Sequence, residues 1–240
     1  MLFAWNEQIA RSWREASEYT GYDRAMAALL LPKLDGCRTL CDMGCGLGLV
    51  DLELAAHFAE IACVDVSQTA LDELRRQAAA RGIRNLRTVC ADGKTVSGRW
   101  DAVMALFHGT VEDVVPAYLP LCADRLLLVV HGNAYGTTGP EGYRVRKCCD
   151  TESTAAWLAA NGYRFTLENG ELEFGQPHRS FEDALTYTRN FTKNVPEDEL
   201  ETYVRRTVTE TGRADFPLYT PKKRTFGIFT IRRRENEQLS

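Results

Sequence analysis

Short apolar runs and helical spacings alternate along this chain. Runs at residues 39–43, 61–65, 86–91, 100–106 and 125–130 are compact, apolar and bounded by polar or glycine turns, as strands are. Between them, residues 49–57, 68–80 and 111–122 place apolar side chains three and four apart, as helices do. Strand–helix–strand alternation predicts an α/β fold: a doubly wound, mostly parallel sheet with helices on both faces. Leu126 to Val130 are apolar without a break, as expected of a strand covered on both sides. Pro116 and Pro120 predict that the helix at 111–122 is short or kinked.

The two ends of the chain depart from this rhythm. At the start, Leu2, Phe3, Trp5, Ile9, Trp13 and Ala16 fall at near-helical spacing, Thr20-Gly21 breaks the pattern, and a second helix runs from Tyr22 until Pro32. This N-terminal cap, residues 1–36, either packs on an edge of the sheet or closes over a ligand with Tyr19 and Tyr22 facing it. Towards the end, a helix at 152–161 precedes a strand at 163–167, and Asn169-Gly170 is placed to turn that strand back through 171–174. The last strand falls at 225–232. Residues 37–175 then form the core, completed by 224–234. The intervening 176–223, with helix starts at Ser180 and Pro196, read as a helical insertion serving as an acceptor lid or a dimer surface.

Composition narrows the class. The 240 residues are 45% hydrophobic with a net charge of −4, which suits a globular domain and argues against a general nucleic-acid binder. No apolar stretch is long enough to span a membrane, and the N-terminal residues do not resemble a signal peptide. Eight cysteines could suggest disulfides. Cys41, Cys63 and Cys90, however, fall in strands expected to be buried, where a thiol serves as a small hydrophobe, and Cys148-Cys149 match neither disulfide geometry nor zinc spacing. The expectation is a reduced, cytoplasmic protein without a metal. Lys222-Lys223-Arg224 and Arg232-Arg233-Arg234 flank the last strand as solvated charge, with anion binding as the alternative.

Candidate chemistry centres on Asp42-Met43-Gly44-Cys45-Gly46-Leu47-Gly48, between the first strand and the first helix. Alternate glycines bend the backbone sharply and bring a ligand against bare main chain, and the helix that follows offers unpaired amides. Asp42 would repel a pyrophosphate but favour a ligand with a cationic end. This disfavours a nicotinamide-dependent dehydrogenase.

With Asp65 closing the second strand, Asp92 following the third and Asp101 opening the fourth, the pattern resembles motif I and its companions in the class I S-adenosylmethionine (SAM)-dependent methyltransferases. The resemblance implies a seven-stranded sheet and SAM as cofactor, leaving S-adenosylhomocysteine. It places Asp42, Gly44, Cys45, Gly46 and Gly48 at the methionine end, Asp65 at the ribose and Asp92 at the adenine, with Val66 and Gly93 as further cofactor contacts and a turn aspartate as the alternative for Asp92. Phe107 and Tyr22 complete the expected cofactor contacts. His108 and His131, at the ends of the fourth and fifth strands, are candidate bases. Tyr19, His108 and Tyr135 are candidate substrate contacts. The missing Asn-Pro-Pro-Tyr at 107–110 argues against adenine-N6 chemistry. The expected activity is methyl transfer by in-line displacement to a small molecule, by a monomer or homodimer. An RNA or protein methyltransferase, and a SAM-binding sensor or silent partner without turnover, remain the alternatives.

Overall fold

The computed structural model describes residues 5–133, 138–144 and 149–239. Seven strands form one sheet in the order β3-β2-β1-β4-β5-β10-β6. They are β1 (Thr39–Met43), β2 (Glu60–Asp65), β3 (Leu86–Cys90), β4 (Trp100–Leu106), β5 (Cys122–His131), β6 (Thr166–Glu173) and β10 (Lys223–Arg232). β1 to β5 are mutually parallel, and β10 runs antiparallel to both neighbours, β5 and β6.

Alternation along the strands divides the core into two layers. Leu40, Cys63, Met104, Leu127 and Ile228 face α1 (Glu7–Thr20), α2 (Tyr22–Leu30), α3 (Leu49–Leu54) and α4 (Gln68–Ala80). Cys41, Val64, Val103, Leu128 and Phe229 face α5 (Val111–Tyr118) and α6 (Thr151–Ala160). Polar residues fix the helix starts: Asn6, Ser67 and Asp150 each accept a first-turn amide. Gly21, in the left-handed conformation at φ 69°, separates α1 from α2.

α2 ends at Leu30, just before Pro32, and the chain tightens there into a 3-10 turn over Leu31–Leu34. Three expectations need correction. Cys90 is exposed rather than buried, since β3 is the edge strand of the sheet. Asn169-Gly170 makes no turn: β6 runs through both, and Asn169 and Gly170 pair with Gly227 and Phe226 of β10. A Cβ on Gly170 would lie 2.5 Å from the Phe226 ring, so this glycine makes room for a core aromatic.

The insertion is also only half helical. α7 (Phe181–Asn190) and α8 (Glu197–Thr207) pack on each other around Ala184, Leu185, Leu200 and Val204. They accompany a small antiparallel sheet, in the order β7-β9-β8, of β7 (Gln176–His178), β8 (Thr209–Glu210) and β9 (Leu218–Thr220). These strands are too short for periodicity to reveal. Among the described residues no helix is long and apolar enough to cross a membrane.

Candidate active site

The glycine turn hangs from the end of β2. The amides of Gly44 and Cys45 donate to the Val64 carbonyl at 2.8 and 3.0 Å, and the Gly46 amide donates to Asp65 Oδ2 at 2.9 Å. Asp65 Oδ1 accepts the Ser67 amide at 2.8 Å. Asp65 therefore braces the turn and orients the start of α4 whatever else it binds. Gly44, Gly46 and Gly48 have φ of 76°, 54° and 59°, the left-handed region that side chains disfavour. Their missing side chains also leave space. A Cβ on Gly48 would strike Leu74, one on Gly46 would lie 2.8 Å from the Trp5 indole, and one on Gly44 would overlap the His108 imidazole. Trp5 and His108 thus lie against the bare backbone that sequence reasoning reserves for a ligand.

Asp42 is enclosed at the end of β1, just before this turn. It is 3% exposed, and its Oδ1 has no hydrogen-bond partner. Burial, then the neighbouring Asp51 at the start of α3, holds its carboxyl well above the usual carboxylate range. Burial likewise pushes Asp51 up to about 6, against hydrogen bonding from the Asp42 carboxyl, its own backbone and the Cys63 thiol. Two carboxyls confined together in low dielectric cannot both ionise cheaply, so the pair retains a proton. Asp51 was invisible as a site residue in the sequence because nothing marks a helix-first-turn aspartate as facing Asp42.

Phe107 and His108 leave β4 in different directions. Phe107 is a bulky residue at φ 54°, anchored by its amide to the Val129 carbonyl at 2.7 Å. Such strain persists only where the surroundings impose it. Its ring lies 4.7 Å from that of His131 and carries the Arg224 guanidinium at 3.6 Å. His108 turns towards Gly44, with Nε2 3.3 Å from the Tyr118 hydroxyl. Burial lowers its pKa, against the pull of Asp65 and Asp92, so it is neutral at pH 7.

Beside Phe107 lies a cavity of roughly 830 Å³, counting its open mouth, lined by α1, β5, the link after β6, β7, α7 and β10. Trp13, His131, Phe174, Tyr187, Lys222 and Arg224 are among its walls. His131 therefore faces the cavity, whereas His108 belongs to the glycine turn.

The remaining predicted residues are dispersed. Tyr22 is buried beside Phe174, ring centroids 4.5 Å apart, and burial pushes its phenol up to about 12. Tyr19 lies away from the cavity walls: its ring stacks on Tyr219 at 4.9 Å, because the small sheet, unseen in the sequence, offers that aromatic surface. Asp92 is exposed and accepts the Lys94 amide at 3.0 Å, the turn role held as its alternative, with Gly93 following it. Val66 is 50% exposed just beyond Asp65. The Cys45 thiol is pushed up to about 12, chiefly by burial. Asp101 accepts the amides of Arg38 and Thr39, a structural role. Tyr135 lies outside the described residues. Sequence reasoning left Lys222 and Arg224 to solvent; their signal was the basic run just before the last strand.

Comparison with known families finds the methyltransferase domain over residues 40–126. Residues 40–126 thus carry a methyltransferase domain. A comparison with curated protein sequences finds no match. Solved structures share this fold. The YcgJ protein of Bacillus subtilis is 18% identical, with 86% of this chain and 98% of that one covered at a TM-score of 0.53. Magnesium protoporphyrin IX methyltransferase from Synechocystis, solved with SAM, is 15% identical, covering 95% and 86% at 0.50. Geranyl diphosphate methyltransferase, also in complex with SAM, is 15% identical, covering 88% and 85% at 0.51. At these identities the likeness is one of fold.

The residues of this site suit a sulfonium nucleoside. The glycine turn brings no side chain of its own to this face, where Trp5 and His108 lie against Gly46 and Gly44. A buried carboxyl oxygen of Asp42 lacks a partner, which a cationic group could provide. Val66 offers exposed apolar surface next to the Asp65 carboxylate, as a base and its ribose require.

Proposed function

We propose that this chain transfers a methyl group from SAM to a small-molecule acceptor bound in the cavity beside Phe107. The observation that carries the reading is the position of that cavity at the carboxyl end of β5, where Trp13 in its wall lies 5.7 Å from the Trp5 ring that covers Gly46 of the glycine turn. Ligands of doubly wound sheets bind beyond these strand ends.

Bound SAM supplies an electrophilic methyl carbon with a neutral thioether as leaving group. In this reading Asp42 and the Gly44–Gly46 backbone hold its methionine end. Asp65 accepts from the ribose hydroxyls while keeping its bond to the Gly46 amide, since each carboxylate oxygen can accept more than once. Val66, Asp92 and Gly93 border the adenine. Trp5 and His108 must move aside or pack along the ligand. Phe107, fixed in its strained conformation, divides the two compartments. The protein's main work is alignment and exclusion of water, worth up to roughly 7–11 kcal/mol of barrier when geometry is ideal. For an acceptor that keeps its proton, His131 is the base, because it faces the cavity.

The RNA reading fits less well. Arg232 lies beside Asp124, and Arg233 donates to the carbonyls of Pro120 and Cys122. Both sit at the far end of β10, roughly 30 Å from its start at about 3.4 Å per residue. The test is incubation of the chain with methyl-labelled SAM and a cell extract. The expected result is label in the small-molecule fraction; label confined to RNA or protein, or no transfer at all, refutes the proposal.

A further inference from the structure

Arg224 lies where several elements meet, yet it is held there without a counter-ion. Its guanidinium sits over four rings: Phe107 at 3.6 Å, Phe174 at 5.5 Å, Trp13 at 5.7 Å and Tyr22 at 5.8 Å. These rings come from the ends of β4 and β6 and from α1 and α2. Aromatic faces stabilise a cation but do not neutralise it. Among the described residues no carboxylate lies within ion-pairing distance of Arg224, although most other arginines on the structure have one. A half-buried guanidinium without an anion is costly to desolvate.

The neighbouring charges do not supply the missing partner. Lys223 is exposed and paired with Glu171 at 2.8 Å. Lys222, half-buried, donates to Thr138 Oγ1 at 2.8 Å and so adds a second positive charge to the same wall. Asp23, on α2, is engaged by Ser17, and burial pushes its carboxyl up to about 6 although Arg224 acts to lower it. A true ion-pair partner would be driven the other way. The Tyr22 hydroxyl, in the same aromatic cluster, is buried with only the Arg224 guanidinium near it, so its own proton is left to donate.

We propose that the acceptor is a small planar, aromatic molecule bearing an anionic oxygen group, a carboxylate or a phosphate. Arg224 receives the anion, assisted by Lys222, while Trp13, Phe174 and Tyr187 enclose the planar body. This rests on the reading of the cavity as the acceptor site. A guanidinium fork matches two oxygens of either group and places the acceptor in one orientation. Phe107, directly beneath the guanidinium, then sets the distance between the anion and the methyl-bearing compartment.

The test is calorimetric titration of the full chain with 2-naphthoate, 2-naphthyl phosphate and the neutral 2-naphthamide. At least one acid should bind about tenfold tighter than the amide, and the better of the two identifies the anion. Arg224→Gln should bring acid and amide within about twofold of each other, with Arg224→Lys intermediate. Equal affinity for acid and amide in the unmodified chain, or no detectable binding of any probe, overturns the proposal. So does discrimination that survives Arg224→Gln. Should Arg224→Gln fail to fold, the acid–amide comparison on the unmodified chain and on Lys222→Gln, which should narrow the gap, still decides. Titration of S-adenosylhomocysteine into the same sample separates the two readings. Its failure to bind removes the methyl donor and leaves the anion site, whereas lost discrimination with that ligand bound removes only the anion site.

Discussion

Asp42 and Asp51 make the charge of the cofactor compartment depend on pH. Both are fully enclosed, and together they keep a proton that ordinary aspartates would have lost well below neutrality. A cation arriving at Asp42 favours the ionised form and so expels that proton. SAM affinity should therefore rise severalfold between pH 5.5 and 7.5, with proton release visible as buffer-dependent heat in calorimetry. Asp51→Asn, which removes the like charge, should flatten the dependence. Affinity that is level with pH in the unmodified chain would place Asp42 away from the cation. The motif showed where this carboxylate sits in the chain, but its protonation depends on Asp51, which packing alone brings near.

Elements with strong local signals were legible: β1, β4 and α4 have the bounds expected from their patterns. Gly170 shows why others were not. Asn-Gly is a turn signal locally, yet here a partner strand on the far side needs the space. Gly170→Val should cost about 1–3 kcal/mol by forcing Phe226 from its rotamer, read as a lower midpoint in urea. A neutral result would mean that β6 is not packed this way. The N-terminal cap carries Trp5, just before α1, onto Gly46 and Trp13 of α1 into the cavity wall, so one segment touches both compartments. Saturation with S-adenosylhomocysteine should change Trp fluorescence, and Trp5→Phe should remove most of that change. An unchanged signal would show that Trp5 does not meet the ligand. The short strands β7 to β9, and hence the place of Tyr19, could not be read because their pairing is set by tertiary contact rather than by pattern.

Over the whole molecule, buried acids and buried histidines oppose each other. Asp23 and Asp51 sit at about 6 in the fold against an ordinary 3.8, so the folded chain holds extra protons and gains stability as pH falls through that window. Burial lowers His178 to about 4 from 6.5, and His108 in the same direction, so stability is lost as pH falls through theirs. The melting temperature should stay nearly level from pH 6.5 to 4. It should drop below 4, where Asp101, held low by the Arg38 and Thr39 amides against the effect of burial, takes up a proton. His178→Gln should tip the balance, so that the protein gains stability on mild acidification. A steady fall in melting temperature from pH 6.5 downwards would contradict this balance.

Because β10 runs against its neighbours, its first residues rather than its last arrive beside the ends of β4 and β5. The chain can therefore leave β6, build any excursion it likes, and re-enter the sheet at the same rim without crossing back underneath. Length and sequence in that excursion can drift while the strands keep their register. Exchanging residues 176–222 among proteins of this architecture is consequently a direct way to graft one member's choice of acceptor onto another's frame.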